Sequence, residues 1–191
     1  MFATTALVAG LGLSGAGLAP APARDGREGV APTRLEVDLS ERKLYLYHDG
    51  EVVNTYDVAV GDAEHPTPEG EFTINRIIWN PGWVPPHGAE WAEDKEEKKP
   101  NDSENPMVGA KLFFEYPDYY IHGTDAPHTL GEAESHGCIR MHPDEVKDLA
   151  EWVQEHGGKP RDDGWFSWVA RDDDSSHEIT LPAPVAVTIR D

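Results

Sequence analysis

The chain has 191 residues, enough for one domain with a substantial core and few for two. It carries 36 Asp and Glu against 16 Lys and Arg, a net charge of −20. Such a surface repels nucleic-acid phosphates and anionic membranes and suits a neutral or cationic partner, either as a plain soluble face or as an adaptation to a salty medium.

Residues Phe2 to Leu18 are apolar or small and uncharged. The run is too short and too rich in Gly and Ala for a membrane span, and residues 1–23 read as a secretory signal peptide or N-terminal anchor. Small-x-small sites follow at Ala19-Pro20-Ala21 and Ala21-Pro22-Ala23, although no Lys or Arg precedes the apolar run. The expected location is therefore outside the cytoplasm, in a periplasm or cell wall. Residues 24–32 read as a flexible leader and 33–190 as one folded domain.

In "TRLEVDLS" (33–40), Leu35, Val37 and Leu39 alternate with polar residues, which predicts a strand. Lys43 to His48 forms a second, with Leu44 and Leu46 on one face. Asp49-Gly50 is a two-residue hairpin signal, and Val52 to Val60 is the return strand, with Tyr56, Val58 and Val60 alternating. "GDAEHPTPEGEF" (61–72) is too rich in Gly and Pro for regular structure, and Phe72, Ile74 and Ile78 mark another strand. Trp79 to Met107 mixes prolines, aromatics and a charge run. The charge run Asp94 to Lys99 reads as a solvated face, but the tryptophans Trp79, Trp83 and Trp91 do not, and Trp83-Val84-Pro85-Pro86 fits part of a lid over a cleft better than local packing. Strands follow near 111–115 and 119–122. Pro143 to His156 is the clearest helix: Pro143 suits the first position, Val146, Leu149, Ala150 and Val153 form a stripe, and Gly157-Gly158 ends it. "WFSWVA" (165–170) and "VAVTIR" (185–190) read as closing strands. The expectation is a mainly β fold with one principal helix and a long loop.

The chemistry concentrates in "IHGTDAPHTLGEAESHGCIRM" (121–141), which holds the single cysteine, Cys138, and His122, His128 and His136. Zinc takes Cys and His ligands, but neither Cys-x-x-Cys nor His-Glu-x-x-His is present, which makes a metal the weaker reading. One cysteine cannot form an internal disulfide, so in an oxidising compartment it is a partner's bridge, an inert buried thiol or a reactive one. Gly137 beside it and Gly131 upstream leave room for a substrate carbonyl, which favours nucleophilic chemistry with a histidine as base. His122 ends a strand, and His136 lies two residues before Cys138. The pattern alone leaves the choice of base open, and His128 has no role beyond an exposed position.

"IHGT" followed by "SHGCIRM" resembles the signature of the L,D-transpeptidase catalytic domain, also called the YkuD domain. "PTPEGEFTI" is similar to its Thr-Pro-x-Gly-x-Phe segment, and "NPGWVPP" and "NPMVGAKLFF" resemble the segments before its His-Gly-Thr, with "NPMVG" where many members have Asn-Pro-Leu-Gly. The likeness runs from about Thr33 to Arg190. It implies a β-sandwich of mixed sheets, with Cys138 as nucleophile, His122 as proton donor and acceptor, and the Gly123 carbonyl orienting the ring. It further implies that His136 and Gly137 shape an oxyanion region, that Ser135 hydrogen-bonds in the loop, and that Arg140 holds the local fold, a substrate carboxylate or a nearby acid.

The implied reaction is acyl transfer on peptidoglycan stem peptides without metal or organic cofactor. Donor and acceptor would be stem peptides, with a lysine of a wall-anchored protein as another possible acceptor. Water as acceptor would give an L,D-carboxypeptidase, and a non-catalytic peptidoglycan-binding module is the reading from another class.

Overall fold

The computed structural model describes residue 1 and residues 33–100, 102–171 and 174–191. Residues 2–32, and with them nearly all of the predicted signal segment and leader, lie outside the described residues.

The first three strands form a meander. In β1 (Arg34–Asp38) and β2 (Lys43–His48), Leu35, Val37, Leu44 and Leu46 point inward, as the alternation predicts. Asp49 and Gly50 both have positive φ, the hairpin turn whose twist matches its strands. The return strand β3 (Glu51–Asp57) ends earlier than predicted. It is an edge strand, with Val52 and Val53 exposed and Tyr56 buried. Val58 to Gly61 leaves it for other partners. Ala59 pairs with Arg140, and β4 (Val60–Gly61) pairs in parallel with β8 (Ala133–Ser135).

The remaining strands are β5 (Gly70–Trp79), β6 (Met107–Glu115), β7 (Tyr119–Thr124), β9 (Ile139–Met141) and β10 (His177–Arg190). With the meander they form one eight-stranded sheet of order β3-β2-β1-β10-β5-β6-β7-β9. It is mixed: β1–β10 and β7–β9 run parallel and the other pairs antiparallel. β3 and β9 lie at opposite edges, yet the Ala59–Arg140 pairing ties the segment leaving one edge to the other. The strands thus wrap around a single core, which Leu35 and Leu46 share with Ile121 and Ile139.

Two expectations are corrected. "WFSWVA" lies in a helix, α2 (Asp163–Val169), not a strand. Asp162 caps it by accepting from Trp165 N at 2.8 Å, and Phe166 and Val169 are buried three apart, a helical spacing. Trp79, expected in the long loop, instead closes β5 and is buried in the core beside Ile74 and Ile77. The alternation slips by one between Ile74 and Ile77, opposite the irregular Leu181–Pro184 of β10, whose two prolines cannot donate to the ladder.

The main helix, α1 (Pro143–His156), packs on β6, β7 and β10 through Val146, Leu149, Ala150 and Val153. Its buried Gln154 accepts from Trp79 Nε1 at 2.8 Å and donates to Lys159 O at 3.2 Å, which satisfies the one polar group inside that face.

Candidate functional site

β7 and β9 run side by side, pairing Ile121 with Ile139, His122 with Arg140 and Gly123 with Met141. Ile121, Ile139 and Met141 enter the core. Because side chains alternate, His122 and Arg140 project to the opposite face, as do Tyr120 and Cys138 one step back. That face carries a smaller apolar cluster of Trp83, Met107, Phe113 and Tyr120, against which Cys138 packs. His122, Ser135, His136, Cys138 and Arg140 all line one cavity of about 700 Å³.

His122 is almost fully buried, and its Nδ1 lies 2.9 Å from Gly123 O. A carbonyl only accepts, so Nδ1 carries the proton and Nε2 keeps its lone pair. Burial drives the imidazole pKa down to about 3 against the opposing pull of the Gly123 bond, and the positive charges of Arg140 and Lys111 push the same way as burial. Gly123 itself has no room for a side chain: a Cβ there would meet Val108 O at 2.1 Å.

The Cys138 thiol is half-buried, and its S–H donates to Asp118 O at 3.3 Å. Burial pushes its pKa up to about 11. The Tyr120 backbone N–H and the charges of Arg140 and Lys111 oppose this, while Asp118 adds to it. Thiol and imidazole are therefore both neutral at rest near pH 7.

Ser135 braces the turn into the cysteine: its hydroxyl donates to Cys138 O and accepts from Gly137 N at 3.1 Å. Gly137 has φ +99°, and a Cβ there would meet Tyr119 Cε1 at 2.8 Å, so glycine is required twice over. Its N–H is engaged by Ser135, whereas the Cys138 amide has no hydrogen-bond partner among the described residues. Arg140 is half-buried and forms no ion pair among the described residues, so its guanidinium is open to the cavity. His136 is exposed, and its ring stacks on Trp91 at 4.0 Å and 19°. His128 is exposed in a short 3-10 turn away from these groups.

The aromatic-rich segment between β5 and β6 forms a wall of the cavity through Trp83, Pro86, Ala89, Trp91 and Lys95. Trp83 and Lys98 exchange backbone hydrogen bonds of 2.9 and 2.8 Å, and Asn105 ties the segment's base to Pro81 O at 2.8 Å.

Sequence reasoning missed Lys111, which pairs with His122 across β6–β7 and lies over the Tyr120 ring at 4.7 Å. A lone lysine within the apolar strand "AKLFF" was the available signal. It also missed Asp118 and Tyr120. Among the described residues, metal-capable side chains converge at Asp62, His65 and His136, not at His122, His136 and Cys138.

The model of the YkuD family, the L,D-transpeptidase catalytic domain, matches residues 32–175. The chain belongs to this family. "Putative L,D-transpeptidase YkuD" of Bacillus licheniformis is 38% identical over 122 residues, covering 64% of this chain and 61% of that protein. "Probable L,D-transpeptidase ErfK/SrfK" of Salmonella typhimurium is 33% identical over 134 residues, covering 66% of this chain and 41% of that protein. The match with these L,D-transpeptidase relatives thus spans about three-fifths of their length or less. Among solved structures, an L,D-transpeptidase from Mycobacterium smegmatis superposes with a TM-score of 0.52 at 17% identity, covering 84% of this chain and 59% of that one. The Ldtfm–avibactam carbamoyl enzyme gives 0.54 at 20% identity, covering 85% and 50%. These distant L,D-transpeptidase structures share the mainly β fold, here with two helices.

Proposed function

We propose that the protein is a peptidoglycan L,D-transpeptidase that uses Cys138 as nucleophile and His122 as base. The observation that carries this reading is the placement of the thiol, just before β9, and of an imidazole with a fixed tautomer on the neighbouring β7, both lining one cavity. Family membership adds the reaction class.

The S–H turns from Asp118 O toward His122 Nε2, which takes the proton as sulfur attacks the carbonyl carbon joining the third stem residue to the terminal D-alanine. The Cys138 N–H, free among the described residues, is a donor for the developing oxyanion; such a donor lowers a barrier by about 3 kcal/mol. His122 returns the proton to the leaving amine, the C–N bond breaks, D-alanine departs and a thioester remains. An amine of a second stem peptide, or of a wall protein's lysine, attacks the thioester and gives its proton through His122 to the departing sulfur. Water in that place gives L,D-carboxypeptidase activity from the same intermediate. Arg140 would bind the donor's terminal carboxylate, and Ser135 and Gly137 hold the turn that presents the sulfur. Thiol and imidazole suffice for the route. The substrate lies outside the cytoplasmic membrane, and the apolar Phe2–Leu18 run supports export to it.

Incubation with disaccharide-tetrapeptide tests the reading. D-Alanine release that survives a chelator and disappears in Cys138→Ala supports it. Release abolished by the chelator would instead mean metal hydrolysis, and no release from any tetrapeptide would mean a binding module.

A further inference from the structure

The Gly- and Pro-rich segment between β4 and β5 delivers two side chains to the neighbourhood of His136, at the rim of the Cys138 cavity. Asp62 and His65 meet His136 there, with one ligand atom from each lying within 4.8 Å of the others. We infer that Asp62, His65 and His136 form a binding site for a divalent transition-metal ion of the zinc type.

The spacing is the first argument. Zinc–nitrogen and zinc–oxygen bonds of about 2.0–2.2 Å place two tetrahedral ligands about 3.3 Å apart. Asp62 Oδ1 and His65 Nδ1 are 3.2 Å apart, near the outer limit for a hydrogen bond and right for two ligands of one ion. The ion takes the place between them, with the His65 proton on Nε2. His136 closes the set by moving about 1.5 Å from the 4.8 Å bound to that ligand spacing, within reach of an exposed side chain.

Pre-organisation is the second. Asp62 Oδ1 accepts from Glu64 N at 2.9 Å and His65 N at 2.7 Å, which fixes the carboxylate beside the imidazole. Asp62 N donates to Ser135 O at 2.9 Å, joining the two segments without any ion. Trp91 stacks on His136 and holds its ring plane. Hydrogen bonds to the groups that hold an ion usually fix their orientation.

The donor set is the third. Two imidazoles and a carboxylate suit zinc, copper or nickel rather than the all-oxygen shells of calcium and magnesium, and three protein ligands leave a position for water.

The site is independent of the transpeptidase reading, and it is tested in the full chain carrying Cys138→Ala, which removes the thiol as a competing ligand. Zinc is titrated by calorimetry in excess magnesium, which occupies the acidic surface. One ion binds per chain, and His65→Ala and Asp62→Asn each weaken it at least ~10-fold. Asp62→Asn keeps an oxygen to cap the turn, and circular dichroism checks that both variants remain folded. No zinc binding in Cys138→Ala, or equal affinity in the folded variants, overturns the inference.

Discussion

The neutral state of the Cys138–His122 pair is the property most open to experiment. With the thiol pKa near 11 and the imidazole near 3, the gap (11 − 3) disfavours transfer of the proton by about 11 kcal/mol. An ion pair at contact distance recovers on the order of 4 kcal/mol, so the neutral pair wins and proton transfer must accompany attack. At pH 7 the thiolate fraction is then on the order of 10⁻⁴, about three hundredfold below that of an unperturbed cysteine. His122→Gln therefore separates two rates. Alkylation by iodoacetamide, which needs only thiolate, changes less than about threefold. Acylation by a carbapenem, which needs a base, falls by about 10²–10⁴. The single cysteine makes both readable by intact mass. An alkylation profile inflecting below pH 7, or alkylation lost together with acylation in His122→Gln, would refute the neutral-pair argument and indicate a preformed thiolate–imidazolium pair.

Gly137→Ala places a Cβ against Tyr119 at φ +99° and should cost about 1–3 kcal/mol in urea unfolding while reducing acylation more than tenfold, because the turn that presents Cys138 must shift. Gln154→Leu strands the Trp79 indole N–H in the core and should destabilise by about 1–3 kcal/mol with acylation kinetics unchanged. His122 is held neutral by a folded pKa far below its unfolded value, so the unfolded chain binds the extra proton first. Stability is full above about pH 6.5 and falls toward pH 3, by up to about 1.4 kcal/mol per pH unit from this group, and His122→Gln should flatten that slope in chemical denaturation.

What the sequence reveals depends on how local each signal is. The helix α1 is legible because Pro143, the Val146–Leu149–Ala150–Val153 stripe and Gly157 all lie within one short stretch. The helix α2 is not, because seven residues rich in Trp and Phe carry strand propensity, and only Asp162 announces the cap. The slip between Ile74 and Ile77 in β5 lies opposite prolines of the partner strand, which no local pattern in β5 announces. The position of His122 on β7 and of Cys138 at the entry to β9 follows from their motif, whose spacing fits a loop between the two strands. Asp62 and His65 lie some seventy positions from His136 and are brought to it by the β4–β8 pairing, the Ala59–Arg140 bridge and the Asp62 N–Ser135 O bond. A two-strand contact between such distant segments leaves no periodic trace in either.

The location of β10 orders events in time. It lies between β1 and β5, so within the eight-stranded sheet it is β10 that joins the N-terminal meander to the strands bearing the site, the Ala59–Arg140 bridge and the β4–β8 pair being the links outside that order. Its pairing of Arg34 with Ala186 closes a loop of about 150 residues, the kind of long-range contact that slows folding. During synthesis that strand emerges after every other strand of the sheet. The eight-stranded sheet is therefore complete only once this late strand is in place, and the joining of its two halves is the slow, long-range step of its assembly.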